Sequence, residues 1–285
     1  MTTQAVSIRR RSHTMVKPGR VILYVALSIG ALITLFPFVW MLLCSFKSNL
    51  EVIQIPPSFF PKKWVADGYL RAWERNIITP YLNTIIVAVG ITAFQLVTSS
   101  MAAFAFARLR FPGRNILFLI VLSMMMVPQN MTMIPKFQIV RALGGYDKLI
   151  GIIMPNFISI NVTFFIRQSF LSFPTELEEA SKIDGCSIPR FFIRIMLPLS
   201  TSILTAMGIM VLLWAWNDLL WPTIIITNES NRTLSMFIAM CKGQYVTDYG
   251  FLMAASSLAV VPMIVIYMIF QKAFVSSITM TGIKG

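Results

Sequence analysis

Asp218 has the strongest chemical claim in this sequence, because it lies inside an apolar run (199–227) beside Asn217 and ahead of Pro222. A carboxylate in hydrocarbon is costly and marks an ion or substrate path, unless water or a neighbouring helix satisfies it. Both readings stay open for Asp218, which falls toward the outer end of its run. Gln129 and Asn130 follow Pro128 in a second apolar run, and Asn156 follows Pro155 in a third. Proline removes a backbone hydrogen bond and an amide in hydrocarbon needs a partner. These polar faces should therefore point into a helix bundle or a wet cavity, where they either bind helices together or line a path.

No residue is assigned a catalytic or metal role. Cys44, Cys186 and Cys241 lack metal-ligand spacing, and His13 sits in a polar N-terminal stretch. The pattern G-x-x-x-x-G-K-[ST] is absent, so the chain carries no phosphate-cradling loop of its own.

Residues 172–198 hold a different kind of chemistry, that of a docking element. Pro174 stops the preceding helix, and Thr175 followed by Glu178 predicts a capping box opening a new one. Glu176, Glu178 and Glu179 suit the positive end of its dipole. Gly185 fits the position past the helix end, where a left-handed turn carries no Cβ penalty. Ile188, Phe191, Phe192, Ile195 and Met196 then share one face of a second helix, with Arg190 and Arg194 off that stripe and Pro198 at its exit. A short helix, a glycine turn and an amphipathic helix can present a rigid knob to a soluble partner or lie on a bilayer surface.

What must position these residues is a membrane bundle. Of the 285 residues, 56% are hydrophobic and 12% charged, against about 25% charged in soluble domains. Six apolar runs, roughly 21–46, 82–107, 115–134, 149–171, 199–227 and 251–274, are each long enough to span. The expected fold is all-α and polytopic, with six transmembrane helices. The first run is too long for a signal peptide. The expected organisation is an N-terminal tail over 1–20 and one membrane domain over 21–285 containing the loop 172–198.

A net charge of +13 suggests nucleic acid only at first sight, because the basic residues flank apolar runs and form no aromatic-interleaved face. With the N-terminus inside, inner segments hold fourteen Lys and Arg and outer segments ten. The tight cluster Arg108, Arg110 and Arg114 falls inside, which predicts both termini in the cytoplasm. The connection 47–81, with Trp64, Tyr69 and Trp73, reads as an ordered segment at the outer interface. Met124, Met125 and Met126 read as adaptable packing.

Glu179-Ala180-Ser181, Ile183-Asp184-Gly185 and Ile195-Met196-Leu197-Pro198 together resemble the EAA signature of binding-protein-dependent ABC importer permeases. That pattern is Glu-Ala-Ala, a glycine four residues after the last alanine, and a hydrophobic-x-Leu-Pro ending; here Ser181 replaces the second alanine and Lys182 a common arginine. The stretches Ala105–Arg114, Trp216–Pro222 and Thr281–Gly285 resemble the MalG-like branch, which serves carbohydrate (CUT1-type) importers.

The resemblance implies a type I ABC importer permease fold in a bacterial or archaeal cytoplasmic membrane. It implies a second permease subunit as a heterodimer partner, two copies of a cytoplasmic ABC ATPase that use ATP and Mg, and an extracytoplasmic sugar-binding protein. Glu179, Ala180, Ser181, Asp184, Gly185, Leu197 and Pro198 would then couple the permease to the ATPase. Asn217, Asp218, Gln129, Asn130 and Asn156 would line the sugar pathway. Trp214, Trp216 and Trp221 either stack on sugar rings or anchor the bundle.

Three other readings remain. An ion-driven secondary transporter would need embedded ionisable residues, and Asp218 is a thin basis for one. A membrane scaffold explains six helices but not the helix–glycine–helix loop. The same importer type could also carry glycerol phosphate or a polyol.

Overall fold

A computed structural model of the chain describes residues 18–241 and 247–282, with side chains through Gln271. Arg9, Arg10, Arg11, His13, Lys17, Lys242 and the terminal Ile283-Lys284-Gly285 lie outside the described residues. Those described are mostly helical, with no strand among them. Three unbroken helices are long and apolar enough to cross a membrane: Gly19–Ser45, Ile78–Arg108 and Tyr249–Gln271. Three bent helix pairs pass the same test, which allows six crossings in all.

The 31-residue helix Ile78–Arg108 is the axis of the bundle. It buries Thr84, Val87, Ala88, Ile91, Gln95, Ser99, Ala103 and Ala107, largely at helical spacing on one face. Small residues there let neighbouring helices approach closely, which matters where no water drives association. Thr98 donates to the Phe157 carbonyl at 2.5 Å and Ser99 to the Ser159 carbonyl at 3.2 Å, tying the axis to the break in the fourth span. By contrast, the first span leaves Val21 to Phe38 exposed, as a lipid-facing or partner-facing helix does.

The polar breaks read from sequence become bends. The third span turns by 93° between Arg114–Met126 and Gln129–Ala142. Val127, ahead of Pro128, is extended at φ −80° and ψ 118°, the conformation a following proline imposes. The run expected to end near 134 therefore continues as the helix Met133–Ala142, and Lys136 and Arg141 are helical rather than in a loop. The fourth span bends by 45° between Leu149–Asn156 and Ile160–Leu171. The fifth run, 199–227, in which Asn217, Asp218 and Pro222 predict an interruption, is Thr201–Asn217 followed, after a break at Asp218, by Leu220–Ile225. Met124, Met125 and Met126 are exposed at 58%, 48% and 84%, so they do not fill a core of this chain.

Two polar knots tie connections between the spans. Asp147, at φ 56°, accepts from the Thr227 and Asn228 amides at 2.9 and 2.8 Å, and its carbonyl accepts from Asn231 at 2.6 Å. Those amide bonds, Asn228's first, hold the Asp147 carboxyl below the usual carboxylate range. In the connection 47–81, Glu51 accepts from the Lys62 amide at 2.8 Å and from Ser58 at 2.9 Å. An Arg71–Asp248 ion pair fastens that connection to the last span. Trp64 and Trp73 are 67% and 69% exposed.

Candidate functional site

The loop after the fourth span folds into the expected two helices, with one local correction. Glu176–Ile183 forms the first, but Thr175 makes no side-chain cap bond, so the capping box does not form. Glu178 turns instead toward two cations. It pairs with Lys182 at 2.7 Å, one helical turn on, and stands 4.0 Å from Arg108. The helix ends as its glycine predicts. Gly185 sits at φ +72°, its amide donates to the Lys182 carbonyl at 3.0 Å, and the Cys186 amide donates to the Ser181 carbonyl at 2.9 Å. These two bonds are the Schellman arrangement, which satisfies carbonyls the last turn would leave open.

The second helix runs from Ile188 to Leu199, with a π segment at Phe192–Met196 that sequence periodicity does not register. Phe191 and Met196 are buried, and Phe192 and Ile195 are partly buried against the core. Ile188 departs from the expected stripe at 52% exposure. Leu197 and Pro198 lead into Ser200, where the chain turns by 77° into Thr201–Asn217.

The first helix has two sides. Ser181 is buried at 6% exposure and its hydroxyl donates to the Glu178 carbonyl at 2.8 Å. A serine is therefore accommodated without an unpaired hydroxyl. Leu177, Ala180 and Ile183 face outward, Ile183 at 86% exposure, with Glu176, Glu179 and Asp184 also exposed around them. An exposed apolar strip of this kind, rimmed by acids, is a candidate docking surface. Leu177 and Ile183 were not among the sequence-derived site residues; their signal was the apolar spacing inside an otherwise charged helix.

Arg108 is the residue that sequence reasoning undervalued. Its side chain is 7% exposed at the C-terminal end of the axial helix. Its guanidinium donates to the carbonyls of Phe170 and Phe173, each at 2.7 Å. It thereby caps the end of the fourth span and stands beside Glu178 of the docking helix. One planar cation thus links the axial helix to the end of the fourth span and stands 4.0 Å from the first loop helix.

The expected pathway residues do not form one cluster. Asn156 is buried and donates to the Ile152 carbonyl at 2.9 Å, within its own span. Asn217 is exposed and donates to the Leu213 carbonyl at 2.7 Å. Gln129 and Asn130 are exposed in the bend after Pro128. Asp218 lies in the break of the fifth run, with the Leu220 and Trp221 amides nearby, and one buried carboxylate oxygen has no hydrogen-bond partner. Trp221 is 3% exposed, donates to the Gly151 carbonyl at 3.2 Å and has Lys136 over its ring at 4.2 Å. Trp216 is buried too, with Tyr81 edge-on. Neither ring is open to stack on a ligand, whereas Trp214 is 44% exposed.

Comparison with known proteins agrees with this architecture. Residues 95–280 match the family described as binding-protein-dependent transport system inner membrane component. The arabinooligosaccharides transport system permease protein AraQ of Bacillus subtilis is 34% identical over 259 residues, covering 90% of this chain and 92% of that protein. The sn-glycerol-3-phosphate transport system permease protein UgpE of Escherichia coli is 31% identical over 273 residues, covering 93% of each. Among solved structures, a chain of a bacterial ABC transporter that imports the acidic polysaccharide alginate superposes with a TM-score of 0.80. That match covers 91% of this chain and 99% of the other at 22% identity, a likeness of fold.

Proposed function

Because the chain belongs to the family of binding-protein-dependent transport system inner membrane components, we propose that it is one permease of a two-permease importer for a carbohydrate. It is a multi-pass membrane protein of the type I permease fold. The observation that carries the reading is the docking helix Glu176–Ile183, its apolar strip turned outward and its base held by Arg108. Glu179, Ala180 and Asp184 present the contact, Ser181 closes its inner side, and Gly185, Leu197 and Pro198 set its angle to the fifth span. A cytoplasmic ATPase, present in two copies and using ATP and Mg, grips this helix. Closure of the ATPase pair then shifts the bundle between access states. ATP can do so only by contacting those states differently, and a clamped helix provides that difference.

Both termini are read as cytoplasmic, in a bacterial or archaeal cell, a reading that the charge bias supports. An extracytoplasmic binding protein delivers the cargo to the outer side. Gln129, Asn130, Asn217 and Asp218 are the polar groups available to a pathway shared with the second permease, while Asn156 supports its own span. The AraQ relatives favour an oligosaccharide cargo, and the similarity to UgpE favours a second reading, a glycerol phosphate.

Ile183→Glu tests the docking assignment. The side chain is almost wholly exposed, so folding and membrane insertion should match wild type. Losing a central apolar anchor and desolvating a charge costs about 2 kcal/mol or more at an interface, roughly thirtyfold in affinity. The co-purifying P-loop ATPase should fall accordingly in detergent pull-downs. Undiminished ATPase recovery would remove this helix from the interface.

A further inference from the structure

On the inner side, the turn between the second and third spans forms an open recess of about 610 Å³ lined by Arg110, Phe111, Gly113, Arg114, Asn115 and Ile116. Its placement at a membrane boundary follows from connectivity, since one span ends at Arg108 and the next begins at Arg114. Arg108 touches the docking loop, so this boundary is on the same side as that loop. We infer that the recess binds the phosphate of an anionic phospholipid headgroup through Arg110 and Arg114.

Charge supports the assignment first. Arg110 is exposed and takes part in no hydrogen bond or ion pair among the described residues. Arg114 donates to the Leu109 carbonyl at 3.1 Å and weakly to Asn115 at 3.5 Å, both neutral acceptors. Arg167, which donates to the Phe106 carbonyl at 3.2 Å and sits over the Phe118 ring at 4.0 Å, lies close enough for the charge of Arg114 to act on it. Glu178 is 4.0 Å from Arg108 and already paired with Lys182. The two arginines that line the recess, Arg110 and Arg114, thus have no carboxylate partner among the described residues, and a guanidinium fork is suited to a phosphate.

Shape and surroundings select a lipid over other anions. Ile116, Leu119 and Ile120 rise from the recess along the third span, exposed at 66%, 66% and 56%, a path for acyl chains leading away from a headgroup. Gly113 is left-handed at φ +77°, with open space where a Cβ would stand, so the backbone approach to the recess is unobstructed. A basic pocket beside lipid-facing apolar residues on the inner leaflet is the arrangement that retains anionic lipid.

The test is native mass spectrometry of the full chain with its co-purifying subunits, in detergent containing phosphatidylglycerol and phosphatidylcholine. The double variant Arg110→Gln, Arg114→Gln should lose one retained phosphatidylglycerol relative to wild type. The matching lysine double variant should keep it, and phosphatidylcholine adducts should not change. Should the glutamine pair not fold, Arg110→Gln alone, at an exposed side chain, carries the same comparison. Equal phosphatidylglycerol retention in wild type and glutamine variant overturns the site. So does displacement of the lipid adduct by millimolar inorganic phosphate, or loss of the ATPase subunit with the lipid count unchanged.

Discussion

Gly185→Asp is expected to reach the membrane in wild-type amount and to import cargo at roughly a hundredth of the wild-type rate or less. The glycine stands at φ +72° with nothing within 4 Å of a Cβ built on it. An added side chain therefore clashes with no part of this chain, and its internal cost is the left-handed backbone alone, about 1–2 kcal/mol. Aspartate tolerates that conformation better than most residues. The larger effect lies outside the chain. A carboxylate projecting from the tip of the docking helix, beside Asp184 and near Glu179, must lose water in any partner's cleft, and about 3 kcal/mol of lost docking is roughly a hundredfold. Uptake of radiolabelled cargo by cells, with immunoblotting of membranes, measures both halves. Gly185→Asn separates them, since it shares the backbone tolerance without the charge and should keep most activity. Wild-type uptake by Gly185→Asp would show that nothing docks there.

Arg108→Ala should be as damaging by a different route. Two hydrogen bonds from a buried cation to the Phe170 and Phe173 carbonyls are lost, at about 1.5–3 kcal/mol each. The fourth span then ends without its cap, and Glu178 keeps only Lys182. The docking helix stays folded through its Schellman turn but is no longer referenced to the axial helix. The expected phenotype is a lower unfolding temperature, increased proteolysis between Phe173 and Ser187, and ATP hydrolysis that no longer responds to the binding protein. Arg108→Lys keeps the charge but not the fork, and should recover part of the response. Unaltered coupling in Arg108→Ala would remove this residue from the transmission path.

Legibility from sequence divided along physical lines. Gly185 was readable because only glycine adopts its backbone conformation at no steric cost, and the following bonds confirm the turn. The six apolar runs were readable because lipid leaves hydrophobicity little freedom. The third span was cut short at 134 because its second arm, Met133–Ala142, carries Lys136, Gln138 and Arg141 on a helix that is only partly buried. Pro135, third in that arm, lies in the first turn, where a missing N–H costs nothing. The capping box fails because Thr175, at φ −70° and ψ −25°, is already helical and makes no side-chain cap bond, while Glu178 pairs with Lys182 and stands 4.0 Å from Arg108, which is distant in sequence. Arg108 was visible only as a topological charge, since the carbonyls it caps belong to no sequence pattern. The Asp147 knot escaped for the same reason, its amide donors lying some eighty residues away.

The central claim is that a nucleotide-driven subunit holds the helix Glu176–Ile183. Its most direct test places a benzophenone maleimide on Ala180→Cys, in a chain whose Cys44, Cys186 and Cys241 are serine, within inside-out vesicles carrying the assembled transporter. Illumination should join this chain to a P-loop ATPase, with a yield that changes when ATP is added. A probe that captures no ATPase in either state, or that reacts only with reagents applied from outside the cell, would contradict it.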